Sequence, residues 1–136
     1  MTNKPLSTTS RESTPAKADG ATPQGGLIAD AAGNLYGTTY YGGITCTLST
    51  IKGCGTIFEL SPNGSGGWTE AVLYKFTGGA DGAFPIGNLV FDASGNLYGT
   101  AFLGGSSSCA NGCGTVFELS PNSSGGWAET AIYSFT

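Results

Sequence analysis

The sequence predicts an all-β protein made of two tandem four-stranded antiparallel units, β-propeller-like blades, and three observations carry that prediction. The first is internal repetition. DGATPQGGLIADAAGNLYGTT (19–39) returns as DGAFPIGNLVFDASGNLYGTA (81–101), and GCGTIFELSPNGSGGWTEAVLYKFT (53–77) returns as GCGTVFELSPNSSGGWAETAIYSFT (112–136). A period near 60 residues is the signature of a repeat architecture. The second is that no segment has helical periodicity, while short apolar runs alternate with Gly-, Asn- and Asp-rich turns. The third is glycine: most of the 24 fall at matching positions in both copies, which marks specified turns rather than low-complexity linker.

Taken in order, residues 1–18 form a Ser/Thr/Pro-rich segment that cannot bury enough apolar surface to offset its ordering entropy, so it reads as a flexible tail. Residues 19–80 are the first repeat and 81–136 the second. In each copy an opening strand, LIAD (27–30) or LVFD (89–92), meets a second, NLYGTT (34–39) or NLYGTA (96–101), across a turn. Asp30 and Asp92 precede that turn, where a carboxylate can accept backbone N–H bonds, and Gly33 and Gly95 lie within it. A cysteine-bearing loop of unequal length follows. The second pair is GTIFEL (55–60) with WTEAVLYKF (68–76), repeated as GTVFEL (114–119) with WAETAIYSF (127–135), joined by SPNGSGG or SPNSSGG. Strict alternation along the last strand places Trp68, Glu70, Val72, Tyr74 and Phe76 on one side. Apolar residues occur on both sides, so both faces of each sheet are expected to be covered. Each copy is expected to present one apolar surface from Leu27, Tyr36, Phe58, Tyr74 and Phe76, or from Leu89, Tyr98, Phe117, Tyr133 and Phe135. Stacked blades account for this best; an eight-stranded β-sandwich is the alternative.

The cysteines pair by position. Cys46 and Cys54 lie in the loop of copy one, Cys109 and Cys113 in that of copy two. Two cysteines kept in each of two loops of different length point to a local disulfide in each. A shared zinc site is the other reading, but the seven-residue spacing in copy one departs from zinc-knuckle geometry. Disulfides imply an oxidising compartment, hence secretion or cell-surface display.

The chemistry available is narrow. There is no histidine, which removes the usual general base and the commonest metal ligand. The acids of the repeats form matched pairs, Asp19/Asp81, Asp30/Asp92, Glu59/Glu118 and Glu70/Glu129, as turn and surface residues do; a glycosidase needs two carboxylates in different environments. No enzymatic activity, cofactor or metal is expected. Asp-Gly and Asp-x-x-Gly-Asn segments offer oxygen ligands but lack the dense spacing of a calcium loop. The net charge of −4 leaves Lys52 and Lys75 against eight acids after residue 18, which excludes a phosphate-binding surface and thus nucleic acid. No stretch approaches the roughly 20 apolar residues of a membrane span. Trp68 and Trp127 are candidate glycan-stacking platforms, with packing between sheets as the competing role. Asn63 and Asn122 open N-x-[ST] sequons in the same predicted turn and are candidate glycosylation sites.

Asn34 to Thr38 (NLYGT) and Gly55 to Leu60 (GTIFEL), repeated at 96–100 and 114–119, resemble the GloVer-type tandem repeat of bacterial surface proteins. The resemblance spans residues 19–136 and implies an exported, repetitive, propeller-like architecture, with no reaction attached. Two blades cannot close a ring, and the chain ends in YSFT where copy one continues into GGADGAFP. The expectation is therefore a fragment of a longer protein or chains joined head to tail. The function expected is a non-enzymatic extracellular structural module that self-assembles into a ring or fibre; the alternative is a carbohydrate-binding, lectin-like module.

Overall fold

The computed structural model describes residues 17–50 and 52–136, so the segment assigned to residues 1–18 lies almost wholly outside the described residues. Those residues are all-β, with no helix among them. Sheet one contains β1 (Ala21–Pro23), β2 (Ile28–Ala29), β3 (Leu35–Tyr41), β4 (Thr56–Pro62) and β5 (Trp68–Lys75). Sheet two contains β6 (Ala83–Phe91), β7 (Leu97–Leu103), β8 (Thr115–Pro121) and β9 (Trp127–Ser134). Each is an antiparallel meander, β1-β3-β4-β5 with β2 also on β3, and β6-β7-β8-β9. Neither closes into a barrel.

The turns follow from their residues. Asp30 Oδ1 accepts the N–H groups of Ala32 (2.9 Å) and Asn34 (3.0 Å), and Asp92 does the same for Ser94 and Asn96. Gly33 and Gly95, at φ +88° and +87°, supply the left-handed step that closes each turn. In the β4–β5 hairpin the Asn63 side-chain carbonyl accepts from the backbone of Ser65 and Gly67, and Asn122 does so from Ser124 and Gly126.

Two features depart from the sequence-based expectation. The opening strand starts earlier, because β1 pairs with the far end of β3 (Ala21 with Tyr41, Pro23 with Thr39) and β6 runs unbroken from Ala83. A three-residue segment ending in proline shows no alternation, yet proline is tolerated on a sheet edge, where one side of the strand needs no partner. The second departure is a bulge. Phe58 pairs with Val72 and Ile57 with Tyr74, leaving Leu73 as an extra residue; Phe117, Ala131, Val116 and Tyr133 repeat this around Ile132. Cross-strand partners share a face, so the bulge sends Val72 and Tyr74 to opposite sides. The single alternating row from Trp68 to Phe76, and the single apolar surface built on it, are thereby corrected to two faces.

One face, here the leucine face, carries Leu35, Phe58, Leu60 and Trp68 in sheet one, and Leu97, Phe117, Leu119 and Trp127 in sheet two. The other, the tyrosine face, carries Tyr36, Ile57, Tyr74 and Phe76, or Tyr98, Val116, Tyr133 and Phe135. Glycine shapes the leucine face. A Cβ on Gly37 would stand 2.8 Å from the Phe58 ring and 2.8 Å from Leu27, and one on Gly99 would meet Phe117 and Leu89 as closely. The Tyr-Gly-Thr run therefore exists so that a phenylalanine ring can lie flat across the neighbouring strand.

The sheets stack directionally: the tyrosine face of sheet one packs on the leucine face of sheet two, with β3 against β6 and β5 against β9. Ile57, Phe76, Leu97, Phe117 and Leu119 are fully buried there. Each such side chain contributes roughly 1.5–3 kcal/mol relative to exposure. Phe76 meets Phe117 at 5.2 Å between centroids, and Tyr36 meets Phe91 at 5.1 Å, both edge-on.

Candidate functional site

Because stacking uses one face of each sheet, the other two stand open among the described residues. On sheet two the tyrosine face exposes Phe102, Tyr133 (57%) and Phe135 (46%). On sheet one the leucine face exposes Leu27 and leaves a recess of about 170 Å³ lined by Asp19, Pro23, Thr39, Phe58, Leu60 and Glu70. That is close to the roughly 150 Å³ that holds a benzene-sized group in a protein interior.

The covered joint shows what such a recess receives. Its lining corresponds, repeat position by repeat position, to Asp81, Pro85, Ala101, Phe117, Leu119 and Glu129 of sheet two, where the buried Phe76 ring lies against Phe117. A polar lock flanks the phenylalanine. Tyr74 Oη donates to Asp81 Oδ2 (2.7 Å), Thr77 Oγ1 donates to Asp81 Oδ1 (2.6 Å), and the Thr77 N–H donates to Asp81 Oδ2 (2.9 Å). Burial, and then the bond to Asp81, raise the Tyr74 phenol well above its ordinary range. Asp19 occupies the turn equivalent to that of Asp81: Gly20 N–H bonds Lys17 O as Gly82 N–H bonds Gly79 O, each at 3.1 Å. Among the described residues the Asp19 carboxylate accepts no hydrogen bond.

Glu129 lies in the covered joint with Oε2 buried and without a hydrogen-bond partner. Burial, and then the neighbouring Asp81 carboxylate, push its pKa up to about 7. Glu70, its counterpart in the open recess, is raised by burial and by Asp19, with Lys75 opposing.

The other acids hold structure. The Tyr36 hydroxyl sits 2.9 Å from Asp30 Oδ2 and 3.0 Å from Glu59 Oε2, and Tyr98 is placed identically between Asp92 and Glu118. Hydrogen bonds from Asn96, outweighing burial, hold Asp92 down at about 2, and the bonds to Asp92 and Glu118 push Tyr98 up to about 12. Among the described residues no group of three or more His, Cys, Asp or Glu is gathered as for a metal.

The remaining candidates are dispersed. Cys46 is bonded to Cys54 and Cys109 to Cys113, with Cα separations of 6.0 and 5.2 Å, on the loops that follow β3 and β7. Trp127 packs on Tyr36 at 6.3 Å within the joint, whereas Trp68 is 51% exposed on the open leucine face. Asn63 and Asn122 sit on exposed hairpin tips. Sequence reasoning missed the recess, because its six residues come from five segments and converge only through strand pairing, above all that of the early opening strand with β3. The duplication of each of its positions was the available signal.

Among the described residues no helix is long and apolar enough to cross a membrane. Neither the curated proteins nor the solved structures gave a match to this chain. The family model of the Gloeobacter/Verrucomicrobia repeat matches residues 2–136, taking in both sheets and the stacked joint between them. The chain, read above as two copies of one motif, belongs to the Gloeobacter/Verrucomicrobia repeat family.

Proposed function

We propose that this chain is a non-enzymatic extracellular structural module whose copies join head to tail into a ring or filament. One observation carries the reading: the two open faces are the unmatched halves of the joint already formed between the sheets. An apolar tyrosine face at one end and an apolar leucine face at the other make a heterologous contact, which closes into a ring or extends as a fibre. Aromatic side chains stand exposed on both open faces, Phe102, Tyr133 and Phe135 on one and Trp68 on the other, and such a contact would cover them. The extracellular assignment rests on the two disulfides and on a bacterial repeat family. The non-enzymatic assignment is supported by the lack of histidine and by Asp30, Asp92, Glu59 and Glu118, which are tied into turns and tyrosine bonds. Sedimentation velocity over a range of concentrations tests the reading. The expected result is a mass that grows with concentration and reverts to one chain in Phe135→Asp; a well-folded particle that stays monomeric into the high-micromolar range overturns it.

A second reading is favoured by Trp68 alone. An indole half exposed on a rigid sheet can stack on a sugar ring. Titration with soluble oligosaccharides, followed by tryptophan fluorescence, would show saturation in the native chain and none in Trp68→Ala.

A further inference from the structure

We infer that the recess around Phe58 receives the end of β9 from a second copy, and that Asp19 is the acceptor of a polar lock supplied by Tyr133 and Thr136 of that copy. The inference rests on the head-to-tail reading and goes further by fixing its register and its polar contacts. The argument is one of matched vacancies. In the covered joint, Phe76 lies against Phe117 while Tyr74 and Thr77 donate to Asp81. The repeat counterparts of those donors are Tyr133 and Thr136, and of the inserting ring Phe135. All three are exposed at the far end of the chain. The counterparts of the receiving residues are Phe58 and Asp19, which line the open recess together.

Among the described residues each half lacks what the other presents. Asp19 is a carboxylate at a recess wall, already held in the right turn by the Lys17–Gly20 bond. Tyr133 is a phenol held edge-on against Phe135 at 5.0 Å, as Tyr74 is held against Phe76 at 5.1 Å. The donor geometry is thus preformed before contact, which lowers the ordering cost of association. Apolar surface alone would let the sheets slide. A charge-assisted bond that forms in one register selects it.

One contact of the covered joint has no counterpart between copies. The Gly26 N–H donates to Asn88 Oδ1 (2.7 Å), and the residue equivalent to Asn88 in sheet one is Gly26, which has no side chain. The equivalent bond within the joint between copies would need the Asn88 N–H to find an acceptor at Gly26. That joint therefore depends more on the Asp19 lock than the internal joint depends on Asp81.

The association constant of the full chain, measured by sedimentation equilibrium for the native protein, Asp19→Asn, Tyr133→Phe and the double variant, tests this. A hydrogen bond to a charged group implies that each single change weakens association by about tenfold or more. The double variant should be no more than about threefold weaker than the weaker single, because both changes remove the same bond. Thermal unfolding of each variant checks that the fold is kept. Thr136→Val provides a second readout and should also weaken association. Single changes without effect, or effects that multiply in the double variant, overturn the lock while leaving head-to-tail assembly standing. A native chain that never associates overturns both.

Discussion

Phe117 and Phe58 are the same residue of the same repeat, each lying over the glycine of a Tyr-Gly-Thr run, yet they live in different environments. Phe117 is fully buried under Phe76, whereas Phe58 is only partly buried and walls an open recess. Nothing in the local sequence sets them apart. The difference lies in stacking order: sheet two has a predecessor to cover its leucine face, and sheet one is itself that predecessor. One sequence motif thus supplies both halves of a joint, and position in the stack decides which half is used.

The comparison predicts a large asymmetry in stability. Truncating Phe117 to alanine should cost about 3–5 kcal/mol, as deletion of a buried aromatic ring does. The same change at Phe58 should cost about 1 kcal/mol or less when measured at a dilution where the chain is a single particle. Urea unfolding of both variants checks this. Equal losses at the two positions would show that the leucine face of sheet one is covered in the single chain, which removes the basis for calling it open.

Much of the strand pattern was legible because turn chemistry and apolar runs are local. Asp30, Gly33 and Asn34 announce one turn, and Asn63 to Gly67 another, in residues a few positions apart. Which face a side chain takes is not local. The bulge at Leu73 is invisible to an alternation count, since Trp68 to Phe76 reads as a regular strand whether or not one residue is skipped. The strand at Ala21–Pro23 was missed for a related reason: it is held by pairing to Tyr41 and Thr39 rather than by its own pattern. The direction of stacking was beyond the sequence as well. Both copies carry both faces, so only the assembled pair reveals which face meets which.

A smaller effect separates the two joints by pH. Glu129 is half-buried in the covered joint beside Asp81, with the Tyr74 phenol also near. Its folded pKa of about 7 lies above the ordinary 4.5, so the folded state binds more protons between those values. Stability is then greatest, as far as this group is concerned, below about pH 4.5. It declines as pH rises toward 7 and levels off above. Glu129→Gln should remove that slope and stabilise the chain at pH 8 by about 1 kcal/mol, a figure already reduced for solvent screening. Glu70→Gln, facing the open recess, should change stability less. Melting temperatures from pH 4 to 8 decide the matter; an unchanged slope in Glu129→Gln would place the titrating group elsewhere.

The smallest effect comes from a single difference between the copies. In sheet one the Thr39 hydroxyl accepts the Thr56 N–H, meets the Thr56 hydroxyl at 2.8 Å and donates onward to the Tyr41 carbonyl. In sheet two the position of Thr39 is held by Ala101, and the Thr115 hydroxyl, equivalent to that of Thr56, is left buried without a partner. An unpaired buried hydroxyl costs on the order of 1–3 kcal/mol, part of which a restored partner should recover. Both positions lie close to a glycine, Gly20 beside Thr39 and Gly82 beside Ala101. Ala101→Thr should therefore stabilise the chain by about 0.5–1 kcal/mol in urea unfolding, one of the few changes in the joint expected to help. Loss of stability instead would mean that the neighbouring Phe102 and Pro85 segments have closed into the space a threonine needs, and that the copies have diverged in packing as well as in hydrogen bonding.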